Sequence, residues 1–88
     1  MRNIVFSPDA FEQYQYWQEH DKAVLRKLNQ LLRECQREPF KGTGKPEALK
    51  GNLAGRWSRR ITQEHRLVYR VDVDNVYVGS CRFHYDEA

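Results

Sequence analysis

The chain has 88 residues, with 15 Lys/Arg, 12 Asp/Glu and three His, and a formal net charge of +3. A chain of this length buries roughly 60–70% of its unfolded surface, which allows one modest core and no large enclosed pocket, so the expectation is one domain over residues 1–88 with its site in a surface groove. No stretch approaches the ~20 apolar residues of a membrane span, and "MRNIVFSPDA" lacks the pattern of a signal peptide, so the chain reads as soluble and cytoplasmic, with no membrane partner.

The apolar run "NIVF" fits a first strand. Ser7 followed by Pro8 is a helix start, a capping hydroxyl ahead of a proline at the first helical position. Phe11, Tyr14 and Trp17 then recur at helical spacing, which predicts a helix over "PDAFEQYQYWQEH". Asp21 can cap a second helix, whose apolar positions Val24, Leu25, Leu28, Leu31, Leu32 and Cys35 form a single stripe. This helix stops near Glu38, because Pro39 disfavours the helical conformation of the residue before it. Residues 39–52, "PFKGTGKPEALKGN", read as a long basic connection, pinned to the body by Phe40 and Leu49; connections above about 12 residues are usually functional or disordered. Strand-forming character returns in "RWSRRIT" (56–62) and "HRLVYRV" (65–71). "DVDN" (72–75) is a turn cluster, and "VYVGSCRFHY" reads as a last strand running to Tyr85. The order strand, helix, helix, strand, strand, strand gives an α+β fold: two N-terminal helices packed on a twisted, mainly antiparallel sheet. Cys35 at helical spacing with leucines and Cys81 in a strand read as two buried free thiols rather than a disulfide.

The charge is uneven. Residues 37–70 hold nine Lys/Arg against three Asp/Glu, a net +6, and the remainder carries a net −3. A basic middle of this kind fits either a solvated face or a polyanionic partner such as nucleic acid.

Several chemistries are excluded by spacing. His20, His65 and His84 have no Cys or His at ligand spacing, so no metal site and no metal or other cofactor is expected. "GTGK" continues into Pro46 and follows no strand, which rules out a phosphate loop and leaves its glycines as ordinary loop residues. Ser58 and Ser80 lack a nucleophile-elbow setting, and Cys81 and His84 would point to opposite faces of one strand. The remaining groups are Glu47, with Lys45 and Lys50 near it, the arginines Arg59, Arg60 and Arg66, and His84 with Tyr85. RNA is cut without a metal when its own 2′-hydroxyl attacks the adjacent phosphate. That reaction needs a base for the 2′-hydroxyl, an acid for the departing 5′-oxygen, and cations for the charge on phosphorus. A carboxylate, an imidazole and guanidinium groups supply all three, and Tyr85 or Phe83 can stack on an unpaired base. Singly, each residue also has an ordinary reading: a strand arginine serving solubility, an inert terminal histidine, a surface glutamate. Whether Arg66 shares a face with His84 or with Tyr85 depends on a register that a one-residue slip reverses.

Together, "YWQ" with "DK", the run "PFKGTGKPEALKGNLAGRWSRRITQEHRLVY" and the closing "CRFHY" resemble the YoeB/Txe family of toxins, in the RelE-like superfamily of bacterial toxin–antitoxin modules, over nearly the whole chain. The resemblance implies a RelE-like fold and a ribosome-dependent messenger-RNA endonuclease that cuts the A-site codon, is neutralised by a cognate YefM/Axe-like antitoxin, reaches operator DNA only in complex with that antitoxin, and forms a homodimer. It implies Glu47 as general base, Arg66 as the stabiliser of the phosphorane-like state, His84 as general acid and Tyr85 as an orienting residue. Lys45, Lys50, Arg59 and Arg60 are the expected RNA- and ribosome-binding cations. Asp86 to Ala88 extend past the "HY" at which family members end. Acids beside a histidine raise its pKa and repel RNA, yet a frayed terminus without effect is the expectation. Two alternatives differ in class: an RNA- or ribosome-binding module without catalysis, and an inactive toxin that serves as co-repressor with its antitoxin.

Overall fold

The computed structural model describes residues 1–85; residues 86–88, on which the expectation of a frayed tail falls, lie outside these. Strand β1 (Asn3–Phe6) leads into helices α1 (Pro8–His20) and α2 (Lys22–Arg37), and strands β2 (Glu47–Ala48), β3 (Trp57–Arg60), β4 (Arg66–Val71) and β5 (Asn75–Ser80) follow. The sheet order is β1-β5-β4-β3-β2. All neighbours pair antiparallel except β1 and β5, which run parallel, so the sheet is mainly antiparallel with both helices packed on one face.

The helix boundaries follow local chemistry. The Ser7 hydroxyl accepts the Ala10 N–H at 3.1 Å, and Pro8 opens α1. Asp21 serves two helices at once: its own N–H donates to the Trp17 carbonyl, and its carboxylate accepts from Ala23 and Val24 at 3.1 and 3.2 Å. The helix stripe Leu28, Leu31, Leu32 and Cys35 is buried against Leu67, Tyr69, Val76 and Val78 of the sheet. Both cysteines are free and buried. Burial raises the Cys35 thiol and pushes that of Cys81 up to about 12, which leaves neither as a nucleophile.

Two differences from the sequence reading bear on the site. The connection after α2 contains strand β2, paired with β3 so that Glu47 lies opposite Ser58. The last strand ends at Ser80, not Tyr85. Beyond it the ladder is replaced by side chains of α1: Gln13 accepts the Cys81 N–H at 2.7 Å, and the Trp17 indole donates to the Cys81 carbonyl at 2.9 Å. Phe83 then takes a positive φ of 68°, so the alternation of faces expected through His84 and Tyr85 does not apply. The register shifts as well. Val68 lies opposite Ser80 while Tyr69 lies opposite Val78, which makes Gly79 the extra residue of a β-bulge. Val76 and Val78 thereby stay in the core while Ser80 moves to the face of Val68.

Candidate active site

The face of the sheet away from the helices carries one set of strand positions. Glu47 is opposite Ser58, Ser58 opposite Val68, and Arg60 opposite Arg66. Opposed residues share a face, so three strands deliver Glu47, Ser58, Arg60 and Arg66 to the same side. The segment after β5 crosses toward them. Together Lys45, Pro46, Glu47, Ser58, Arg60, Arg66, His84 and Tyr85 line an open groove of about 310 Å³. Residues from the connection (45–47), from β3 and β4 (58, 60 and 66) and from the C-terminal segment (84–85) are thus brought to one place. Three of the lining side chains are cationic against one carboxylate, which suits a phosphodiester.

Within the groove, the Tyr85 hydroxyl reaches Glu47 Oε1 at 3.5 Å. The rings of His84 and Tyr85 stack with centroids 4.6 Å apart. His84 Nδ1 lies 2.9 Å from the Tyr85 carbonyl oxygen. A carbonyl oxygen only accepts, so that nitrogen carries a proton and donates it, and Nε2 is left to exchange a proton with a substrate. Arg66 is 8% exposed. Its Nη1 donates to the carbonyls of Thr62, Gln63 and His65 at 2.9–3.2 Å, which braces the β3–β4 turn and fixes the guanidinium plane. Among the described residues its Nε and Nη2 have no protein acceptor, which leaves donors for an anion in the groove.

Lys45 lines the groove with a positive φ of 54°. Lys50 is exposed and precedes a short 3₁₀ turn at Gly51–Leu53, outside the groove lining. Arg59, expected among the RNA-binding cations, is placed elsewhere: it is fully buried on the helix side of the sheet. Nε donates to Tyr69 Oη at 3.1 Å, Nη1 to Glu34 Oε1 and the Thr43 carbonyl at 3.1 Å each, and Nη2 to the carbonyls of Glu38 and Lys41 at 2.7 Å each. All five guanidinium N–H donors are occupied by protein, and none remains for phosphate.

Arg59 instead organises the connection that carries Lys45 and Glu47. The glycines of "GTGK" wrap this side chain. A Cβ on Gly42 would run into the Glu34 carboxylate held by Arg59, and one on Gly44 would stand 2.9 Å from the Arg60 carbonyl oxygen. They are therefore required by close approach, which corrects their reading as ordinary loop residues. Pro46 and Ser58 were missed as lining residues. Ser58 was legible in principle, since it stands two positions from Arg60 on one strand and so shares its face.

Among the described residues, no three His, Cys, Asp or Glu side chains gather where they could hold a metal ion. No helix among them is long and apolar enough to cross a membrane.

Comparison with known proteins gives a consistent picture. The family model for the YoeB-like toxin of bacterial type II toxin–antitoxin systems matches residues 6–85. Toxin YoeB of Escherichia coli (strain K12) is 51% identical over 82 residues, covering 93% of this chain and 98% of that protein. The YoeB dimer from Staphylococcus aureus superposes with a TM-score of 0.89 at 52% identity, covering 96% of this chain and 98% of that one. A chain of the YoeB–YefM complex from the same organism superposes with a TM-score of 0.88 at 50% identity, covering 97% and 99%.

Proposed function

The chain belongs to the YoeB-like toxin family of bacterial type II toxin–antitoxin systems, and from that premise we propose that it is a ribosome-dependent endoribonuclease that cuts messenger RNA in the A site by 2′-hydroxyl attack, without a metal. The observation that carries this reading is the convergence of Glu47, Arg66, His84 and Tyr85 on one groove.

Glu47 takes the proton of the 2′-hydroxyl, and the oxygen attacks the adjacent phosphorus. As the bond from phosphorus to the 5′-oxygen breaks, His84 in its imidazolium form gives that oxygen a proton from Nε2. While the entering 2′-oxygen and the departing 5′-oxygen are both bound, phosphorus carries five oxygens and the equatorial ones bear extra negative charge. Arg66 supplies guanidinium donors to it, and Lys45 and Arg60 add positive field at the groove wall. Tyr85 links the two proton-transfer groups, stacked on His84 and within reach of Glu47, and orients the substrate. Lys50, outside the groove, contacts the phosphate backbone or ribosomal RNA. The products carry a 2′,3′-cyclic phosphate and a 5′-hydroxyl. Since the nucleophile belongs to the substrate, no metal is needed to generate it.

The partners follow from the same reading. The S. aureus relative assembles with YefM and as a YoeB dimer, and we assign this chain a YefM-like antitoxin, a homodimeric form and, through the antitoxin complex, operator DNA. Its workplace is the cytoplasm, where ribosome and messenger RNA meet. The test is to add the protein to translating ribosomes, at the lowest magnesium that keeps them assembled, and map the messenger-RNA ends. New ends in the A-site codon support the proposal. Arrest of translation with intact messenger RNA would instead identify a ribosome-binding module without catalysis.

A further inference from the structure

Phe83 stands immediately before His84 and has a φ of 68°. A bulky aromatic residue in the left-handed region is strained, and such a conformation persists only where its surroundings impose it. The β ladder cannot do so, because β5 ends at Ser80. Two hydrogen bonds on either side of the residue do. The Arg66 N–H donates to the Phe83 carbonyl at 3.0 Å, and the Phe83 N–H donates to Nδ1 of His65 at 2.7 Å.

His65 is itself held firmly. Its ring stands edge-on to Trp17 at 4.8 Å and 75°, its N–H donates to the Thr62 hydroxyl at 3.0 Å, and its side chain is 15% exposed. Because Nδ1 accepts, the neutral ring carries its proton on Nε2, which points to Glu64 Oε1 at 3.6 Å. His65 is absent from the groove lining, so it does not meet RNA directly. Its contact acts on the backbone that delivers His84. The Gln13 and Trp17 bonds to Cys81 fix the start of the same segment, and the bond to His65 fixes its turn.

We propose that His65 is a positioning residue for the cleavage reaction: by accepting the Phe83 N–H it holds Phe83 in the left-handed conformation and so sets the place of His84 in the groove. This inference rests on the nuclease reading above. It differs from ordinary core packing in that the acceptor atom matters, not only the ring volume.

Two substitutions separate those roles. His65→Asn keeps an acceptor oxygen close to the position of Nδ1, and His65→Leu keeps apolar bulk against Trp17 without an acceptor. Three measurements are made on each: hydrogen exchange at the Phe83 amide in the free protein, thermal unfolding, and kcat and KM for messenger-RNA cleavage on translating ribosomes. His65→Leu is expected to lose protection at the Phe83 amide and to lower kcat by about 10-fold or more with KM little changed, the signature of a misplaced catalytic group. His65→Asn is expected to restore protection and most of kcat. Wild-type kcat in His65→Leu despite an exchanging Phe83 amide would overturn the proposal. So would equal loss in both variants that simply tracks lowered folded stability. A wild-type protein that cuts no RNA while its Phe83 amide stays protected would sink the nuclease reading and the positioning role with it, while leaving the His65–Phe83 bond established.

Discussion

Glu34 of α2 and Arg59 of β3 meet at 3.1 Å across 25 residues of sequence, and the carboxylate also accepts the Thr43 N–H at 2.8 Å. The pair is the anchor on which the connection between helix and sheet is wound. Removing Arg59 would strand the Glu34 carboxylate and the carbonyls of Glu38, Lys41 and Thr43 together. Breaking a buried ion pair from one side costs about 3–5 kcal/mol. Glu34 is 27% exposed at its side chain and can recover some hydration, so Arg59→Met is expected near the lower figure, about 3 kcal/mol, by urea denaturation. Arg60→Met, at an exposed position in the groove, is expected within about 0.5 kcal/mol of wild type. Equal effects at the two positions would refute the anchoring role.

The same carboxylate sets a pH dependence. Partial burial pushes Glu34 up, but hydrogen bonds from Thr43 and Gln30 and the charge of Arg59 outweigh it and hold the carboxyl below its ordinary value of 4.5. A carboxyl whose folded pKa is depressed contributes stability that is fully present above its unfolded value and is lost as pH falls through the folded one. The urea midpoint is therefore expected to be steady above about pH 5.5 and to fall below about pH 4.5. Asp72, held low first by the Asp74 N–H and then by the Tyr77 hydroxyl and the Asn75 N–H, contributes a slope of the same sign. Glu34→Gln should flatten the part of the acid decline that remains in Asp72→Asn. A double variant as acid-sensitive as wild type would show that other groups govern the decline.

Glycine replacement distinguishes close approach from backbone conformation. Gly44 and Gly55 both have positive φ, 85° and 92°. A Cβ on Gly44 would meet the backbone oxygen of Arg60 at 2.9 Å, whereas one on Gly55 would meet nothing within 4 Å. Gly55→Ala bears only the cost of a left-handed alanine, about 1 kcal/mol. Gly44→Ala bears that and a clash with a β3 carbonyl, at the point where the Gly44 carbonyl accepts the Arg60 N–H at 2.7 Å. Its stability loss is expected to be at least twice that of Gly55→Ala. Its cleavage rate should fall as well, because Lys45 and Glu47 follow directly.

What the sequence disclosed and what it withheld divide along the range of the interactions involved. Ser7–Pro8, Asp21 and the α2 stripe are read from neighbours a few residues away, and the helices lie where that chemistry puts them. The turn at Asp72 is equally local, its carboxylate taking the N–H groups of Asp74 and Asn75. The end of β5 is not local, since it is decided by Gln13 and Trp17 at the other end of the chain. Arg59 and Arg60 are adjacent and identical in type. Strand alternation says that one faces in and one out, and Trp57 and Ile61, which pack in the core, share the parity of Arg59; what no neighbour discloses is the distant Glu34 that pairs with it there. Residues lining the groove were recognisable as a set of chemical types, whereas their convergence required the Gly79 bulge, signalled only by a lone glycine inside a strand pattern, and the turn at Phe83, which has no local signature.

The proposed roles in cleavage predict a pattern across four positions. Glu47→Ala and His84→Ala each remove a proton-transfer group, and such groups contribute about 10²–10⁴-fold. Both variants should bind ribosomes normally and cut messenger RNA at least about 100-fold more slowly. Arg66→Lys retains the charge but not the planar fork. It should lose cleavage to a similar degree, and some stability too, because its Nη1 bonds to Thr62, Gln63 and His65 brace the turn. Tyr85→Phe removes a hydroxyl only at the limit of reach of Glu47, 3.5 Å, and should cost less than about 10-fold, whereas Tyr85→Ala also removes the ring stacked on His84 and should cost more. The readout is single-turnover cleavage on translating ribosomes at the lowest magnesium that keeps them assembled, with ribosome binding measured separately. If Glu47→Ala and His84→Ala cut at the wild-type rate, the groove is not the seat of catalysis. A strict requirement for added magnesium beyond that which holds the ribosome together would show that a metal, rather than these side chains, carries the charge at phosphorus.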